Sequence, residues 1–434
     1  VFKLTFYKKE IDAIKEQAEM VKMAYERFKD SQVIIDSPAM SGAKKDLEER
    51  LRRLNDKLNI YLAQPCGIDI ERKPKDFEIW KASHQPFHWF AEFYGIIQDE
   101  GGFDVIIGNP PYVEYSKVKK TYSIQGYRTE RCGNLYAFCM ERSLNISRDE
   151  GKFGMIVPFS STSTFRMNKL VDHMISKGSL WVSNYDERPT HLFDGVCLQT
   201  AIILININRE RFVNNVTSLM HWTSDQRKEL FTSRIQYQQL NIAKNDFYLF
   251  KVSHEIELQI LNKINTNKRT LPICQQITGN PLYYRTSGGR YFKLITNFPP
   301  LFSCKGGRKI SSKQNELYFQ SCMLRDITVA ILSSSLFYWY WRIYSNCRDL
   351  TMHELNTFPD NIENLNNKAK ESLVQLIQAL MIDYKNNSVR KKCYYKATGE
   401  VIYDEFYPKH SKPIIDEIDK VLAQHYGFTD EELD

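Results

Sequence analysis

An apolar hexapeptide, Phe103-Asp-Val-Ile-Ile-Gly108, opens at a Gly101-Gly102 turn and runs straight into Asn109-Pro110-Pro111-Tyr112. Two consecutive prolines lack the N–H that a β ladder needs, so a strand must stop where they begin. The run is too short for a helix, and it reads as a buried strand that ends in a rigid turn. Similar pieces follow it. Leu135 to Ile146 has helical spacing, Asp149-Glu-Gly-Lys152 reads as a turn, and Phe153-Gly-Met-Ile-Val157 is a second buried strand closed by Pro158. Lys169 to Ser176 is helical, Trp181 to Asn184 a short strand, and Ala201 to Ile205 another apolar strand. Strand, helix, strand in this rhythm predicts an α/β sheet with crossover helices.

The flanks have other textures. In Lys44 to Leu62 the residues Leu47, Leu51, Leu54, Leu58 and Leu62 form one apolar stripe at helical spacing. A second helix, about Glu10 to Lys29, precedes a break at Ser37-Pro38, so residues 8–62 predict a helical hairpin, packed on a neighbour or projecting as a short coiled coil. After Asn215 the chain is irregular and rich in Ser, Thr, Asn and Gln; Asn364 to Tyr384 and Pro413 to Tyr426 are helical. The expected division is a helical N-terminal part (1–63), an α/β part (64–215), a mixed α+β part (216–362) and a helical tail (363–434).

The tetrapeptide lies beyond the carboxyl end of a strand, where open α/β sheets hold their ligands. Asn109 offers an amide oxygen to an exocyclic amine, Pro110 and Pro111 hold a turn whose carbonyl can accept a second bond, and Tyr112 offers a flat face to a planar base. Two acceptors on one NH₂ group pull its nitrogen from planarity and aim the lone pair. With a methylsulfonium in line, no strong protein base is then required. The alternative is a tight loop with no chemistry.

Charge is unevenly spread. Pro281 to Arg348 holds ten basic and two acidic residues, so this stretch alone accounts for the net charge of +7 of the whole chain. Among the basic residues are Arg285, Arg290, Lys293, Lys305, Arg308 and Lys309, interleaved with fourteen aromatics such as Phe337-Tyr-Trp-Tyr-Trp341. Such interleaving suits a phosphate-tracking, base-contacting surface; a basic surface over an aromatic core would read the same way. No apolar run approaches the roughly 20 residues that span a bilayer, and the start of the chain has no signal-peptide core. Nine scattered cysteines without a C-x-x-C pair fit reduced thiols in the cytoplasm.

Several motifs in order resemble the Eco57I-like family of adenine-N6 DNA methyltransferases of restriction–modification systems. They are Phe87-His-Trp-Phe90, Gly101 to Tyr115, Gly133-Asn-Leu-Tyr-Ala-Phe138, Gly151 to Pro158, Leu192-Phe-Asp-Gly195 followed by Thr200 to Ile205, and Tyr283 to Arg290. The resemblance covers roughly residues 80–434. It implies a partial Rossmann-like class I methyltransferase sheet with a helical insertion and a mixed α+β target-recognition domain. It also implies S-adenosyl-L-methionine as methyl donor, double-stranded DNA as substrate and a flipped-out adenine in the pocket. Asn109 and Pro110 would hold N6 and border the cofactor, Pro111 would stiffen the turn, Tyr112 and Phe193 would sandwich the base, and the six basic residues named above would bind DNA.

The family's D-P-A-x-G-x-G cofactor loop has no clear counterpart. Val33 to Ala43 has Asp36, Pro38 and Ala39 but a single glycine, Gly42, and reads as coincidence. The expectation is a truncated product, or one half of a split enzyme completed by an upstream-encoded polypeptide. Neither Glu71-Arg-Lys73 nor Glu150-Gly-Lys152 follows a Pro-Asp, so no nuclease activity is expected. His84 and His88 have ligand spacing without a third partner, so a packed or capping role is expected rather than a metal site. Competing functions are a non-catalytic DNA-binding specificity subunit or remnant, and methyltransferases acting on guanine N2 in RNA or on protein glutamine. The basic aromatic stretch argues against the glutamine reading.

Overall fold

The computed structural model describes residues 2–33, 37–121, 124–193, 195, 197–208, 210, 212–241, 249–265, 278–287, 292–304, 307–359, 362–396 and 398–434. Two compact units make up the chain. One comprises Val1–Val157, Arg166–Trp181 and Ile202–Val213, the other Pro158–Phe165, Val182–Ala201 and Asn214–Asp434.

The first unit opens on the expected helical hairpin, Phe2–Val33 and Ser37–Ala63. Ala18, Val21 and Ala24 meet Leu47 and Leu54 in a seam that also takes in Ala91 and Tyr94. The hairpin is therefore packed on the segment before the first strand. The Tyr94 hydroxyl donates to Glu19 at 2.7 Å, and Lys22 pairs with Asp99 at 2.8 Å. Leu62, placed in the stripe by spacing, is 43% exposed because the apolar seam ends before it.

Strand β1 (Phe103–Gly108) pairs in parallel with β2 (Ser147–Pro158). The expected turn at Asp149–Lys152 is a bulge inside β2. Glu150 takes φ 64°, the register slips between Phe103 and Val105, and a Cβ on Gly151 would lie 2.9 Å from the Arg148 carbonyl. Strands β3 (Gly178–Tyr185), β4 (Thr200–Ile207), β5 (Asn214–Met220) and β6 (Gln238–Leu240) complete a mixed sheet in the order β1-β2-β4-β3-β5-β6. The sheet thus runs past residue 215, where the α/β texture fades in the sequence. The helix Leu135–Ile146 buries Tyr136, Ala137, Met140 and Leu144, and Asn168–Ile175 buries Leu170, Val171 and Met174. The strand β1, expected to be buried, lies at the sheet's end instead and leaves Val105 62% and Ile107 84% exposed.

In the second unit β7 (Asn280–Arg285), β8 (Ile295–Thr296) and β11 (Gln314–Phe319) form a sheet in the order β11-β7-β8. Another, β10-β9-β13-β12, joins β9 (Phe302–Cys304) and β10 (Gly307–Arg308) to a hairpin of β12 (Val389–Tyr395) and β13 (Gly399–Glu405). Both expected C-terminal helices are present, Asn367–Asn386 and Lys412–Tyr426, but the hairpin between them makes the tail mixed rather than wholly helical. Phe337, Tyr340, Trp341 and Tyr344 lie on the buried side of the helix Ser335–Tyr344, so these four aromatics belong to the core, whereas Tyr338 and Trp339 are half-buried. No helix among the described residues is long and apolar enough to cross a membrane.

Candidate active site

The four residues after β1 alternate between solvent and core: Asn109 and Pro111 are exposed, Pro110 is buried and Tyr112 half-buried. Pro110 packs inward as the pivot, which leaves the Asn109 amide free to meet a ligand. The Tyr112 hydroxyl donates to the Ile156 carbonyl of β2 at 2.9 Å, and its ring meets Tyr136 edge-on at 6.5 Å. Burial pushes the Tyr112 phenol above its ordinary pKa, so the ring is neutral near pH 7. Its plane is fixed from two sides. A ring held this way can present one face to a flat ligand without reorganising.

The segment beyond Tyr112 is clamped by residues that the sequence reading quoted only as a motif. The Tyr115 N–H donates to the Gly133 carbonyl and the Leu135 N–H to the Val113 carbonyl, both at 2.9 Å, so Glu114 and Asn134 form an antiparallel bridge. The Glu114 carboxylate accepts from Asn134 Nδ2 at 3.2 Å and from Arg166 Nη2 at 2.6 Å. Gly133 takes φ +59°, and a Cβ there would come within 2.7 Å of that Arg166 nitrogen. Glycine is thus needed for both its backbone angle and its missing side chain.

A second brace lies on the same helix. Glu141 is buried and accepts from the Thr129 hydroxyl at 2.8 Å, the Thr129 N–H at 2.9 Å and the Arg128 N–H at 3.0 Å. Burial works against its charge, but these three donors together hold the carboxyl below the usual range.

Phe193 belongs to the second unit, where it is half-buried beside the buried Leu192. Arg227 holds this loop through the carbonyls of His191 and Leu192, at 3.3 and 2.9 Å. Of the basic candidates, Arg285 is exposed at the end of β7, Lys309 is exposed, and Arg308 lies on β10. Arg290 and Lys305 fall outside the described residues. Lys293, expected on an open DNA-binding surface, is only 7% exposed. Its ammonium lies 4.3 Å from the Trp341 ring centroid and donates to the Arg348 carbonyl at 3.0 Å. That correction follows from packing: the aromatic core draws in the lysine stem.

His88 is buried with Nε2 2.7 Å from Asn59 Oδ1, and His84 stacks on Trp80. Pro38, Ala39 and Gly42 sit inside the helix Ser37–Ala63, while Asp36 falls outside the described residues. That stretch therefore offers no glycine-rich turn for a cofactor.

Residues 9–187 match the family model of the Eco57I restriction-modification methylase. A protein of Methanocaldococcus jannaschii named as a type II restriction enzyme and methyltransferase is 31% identical over 122 residues, which take in 28% of this chain and 10% of that protein. The chain thus spans about a tenth of the curated relative it matches. Among solved structures, the type IIL restriction–modification enzyme MmeI in complex with DNA is similar at 12% identity and a TM-score of 0.40, over 75% of this chain and 54% of that one. A nuclease-deletion mutant of the type ISP enzyme LlaGI, in complex with a DNA substrate mimic, is similar at 11% identity and a TM-score of 0.39, over 71% and 46%. The family match begins earlier than the motif resemblance, and it includes both the helical hairpin and the loop after β1. Residues 9–187 of this chain are thus similar to the Eco57I restriction-modification methylase family.

Proposed function

We propose that the chain acts in methyl transfer from S-adenosyl-L-methionine to adenine N6 in double-stranded DNA, as the modification component of a restriction–modification system. The observation that carries this reading is the turn after β1: an exposed Asn109 on a buried Pro110, followed by a Tyr112 pinned to Ile156. The Asn109 Oδ1 and the Pro110 carbonyl would each accept one N6 hydrogen of an extruded adenine. Tyr112 would stack on the ring.

When bound, S-adenosyl-L-methionine would supply the methyl carbon. Asn109 and Pro110 would hold N6 with its lone pair turned toward that carbon, and the proton displaced from N6 would pass to solvent. Among the described residues Asn109 and Pro110 are the ones assigned to the donor's side, and no glycine-rich turn joins them there.

In the same reading residues 64–215 form the catalytic part and 216–362 the target-recognition part, with Arg285, Arg308 and Lys309 on DNA. A methylation assay with tritiated donor on mixed-sequence duplex DNA tests the proposal. Incorporation that Asn109→Ala abolishes supports it. DNA binding without incorporation would instead favour a non-catalytic specificity subunit.

A further inference from the structure

A cavity of about 1280 Å³ opens within the second unit, with walls drawn from both of its small sheets. Tyr283 of β7, Tyr338 of the helix Ser335–Tyr344, Tyr395 of β12 and Tyr403 of β13 line it. The Tyr338 ring is held in place, with Phe292 at 5.3 Å and Trp341 stacked at 5.8 Å. Tyr395 stands 53% exposed at the same cavity. Tyrosines gathered from four separate elements put flat faces around a single space.

The charges there are asymmetric. Asp404 and Glu405 line the cavity but are matched across the hairpin, by Arg390 at 3.1 Å and Lys391 at 3.5 Å. Arg285 and Lys409 also line it, both are exposed, and neither has an ion pair among the described residues. The acids are neutralised in place, while two cations remain available to an anion. A ligand that suits both features is planar, aromatic and anionic, which is the chemistry of a nucleotide. The space exceeds the roughly 300–1,000 Å³ of ordinary small-ligand sites, so more than one nucleotide fits. In a duplex the base faces are stacked on their neighbours and cannot meet tyrosine rings. An unpaired strand offers them freely, and its phosphates track a cationic rim.

We infer that this cavity is a binding site for unpaired nucleotides of a nucleic-acid strand, with bases against Tyr283 and Tyr395 and phosphates at Arg285 and Lys409. The site is separate from the turn at Asn109 and does not depend on methyl transfer there.

The test is fluorescence anisotropy on the full chain with a labelled thymidine hexanucleotide, a duplex of equal length, and thymidine monophosphate as competitor. The single strand is expected to bind more tightly than the duplex, and to resist the mononucleotide at equal nucleotide concentration. Tyr395→Ala and Lys409→Ala should each weaken single-strand binding about tenfold, while Tyr395→Phe keeps it, because stacking needs the ring and not the hydroxyl. Both side chains are exposed, and matching thermal melts would confirm that the variants fold. Equal affinity for strand and duplex, full competition by the mononucleotide, or wild-type binding by both alanine variants would overturn the inference.

Discussion

The hydroxyl of Tyr112 donates to the carbonyl of Ile156 at 2.9 Å, tying the loop after β1 to the neighbouring strand β2. The bond sets the ring's orientation without touching the face that a base would use. Tyr112→Phe keeps the stacking surface and loses this anchor, so methylation should fall several-fold with stability lower by about 1 kcal/mol. Tyr112→Ala removes both, and tritium incorporation should drop by a further factor of about ten or more.

Asn109→Ala leaves the exposed turn able to fold, because Pro110 and not Asn109 is its buried pivot. Incorporation should fall by about a hundredfold or more, as expected when a hydrogen-bonding group at the reacting centre is lost. Binding of duplex DNA in a filter assay should stay within about twofold of wild type. Methylation that survives this change would remove Asn109 from the chemistry.

Thr129→Val tests the brace under the same helix. Glu141 loses its hydroxyl donor but keeps two backbone N–H groups, at a cost of about 1–2 kcal/mol near neutral pH. The folded-state pKa of Glu141 is depressed, so its contribution is complete above the ordinary carboxylate range and is lost as pH falls through the folded value. Removing a donor raises that folded value. Acid unfolding followed by circular dichroism should therefore begin at a higher pH in the variant, and the two stabilities should converge at the acid end.

Lys251 is buried, donates to the Ser345 carbonyl at 2.7 Å, and lies 5.2 Å from the Phe159 ring centroid. Burial brings its pKa down to about 8 from the ordinary 10.5. Between those two values the unfolded chain binds the extra proton, so this lysine makes stability rise with pH in that window. The full span is worth on the order of 3 kcal/mol. Urea unfolding at pH 7.5 and 9.5 should show a smaller rise in Lys251→Met than in wild type; equal rises would place the titration elsewhere.

The end strand of the sheet gives a prediction about association. Val105 and Ile107 sit on one side of β1, two residues apart and largely exposed. An exposed apolar edge invites pairing with another chain, and a lysine there discourages it. Sedimentation across a concentration series should show less self-association for Ile107→Lys than for wild type, with an unchanged far-ultraviolet spectrum.

Much of the first unit is legible in the sequence because its signals are local. The strand Phe103–Gly108 and the helix Leu135–Ile146 fall where apolar spacing and turn residues put them. The bulge at Glu150–Gly151 was not legible, since a turn and a bulge share the same residues until a partner strand fixes the register. Nor was β5, whose Asn, Thr and Ser look like loop; Thr217 is buried and its hydroxyl accepts from the Asn184 N–H, which is a tertiary fact. The hairpin β12–β13 falls in a stretch that reads as part of a helical tail, because Val389-Arg-Lys-Lys-Cys-Tyr-Tyr395 alternates too weakly to signal a strand. At the site, Asn109 to Tyr112 stood out as a contiguous motif. Glu114, Arg166 and Arg227 act through contacts with residues distant in the chain, which no local pattern reveals.

Gly133 carries a consequence for how this protein tolerates variation. A side chain there would be strained by the left-handed backbone angle and would force the Arg166 guanidinium to shift against Glu114. A position with no side chain to offer a ligand thus sets the backbone course of the loop whose first residues form the candidate site.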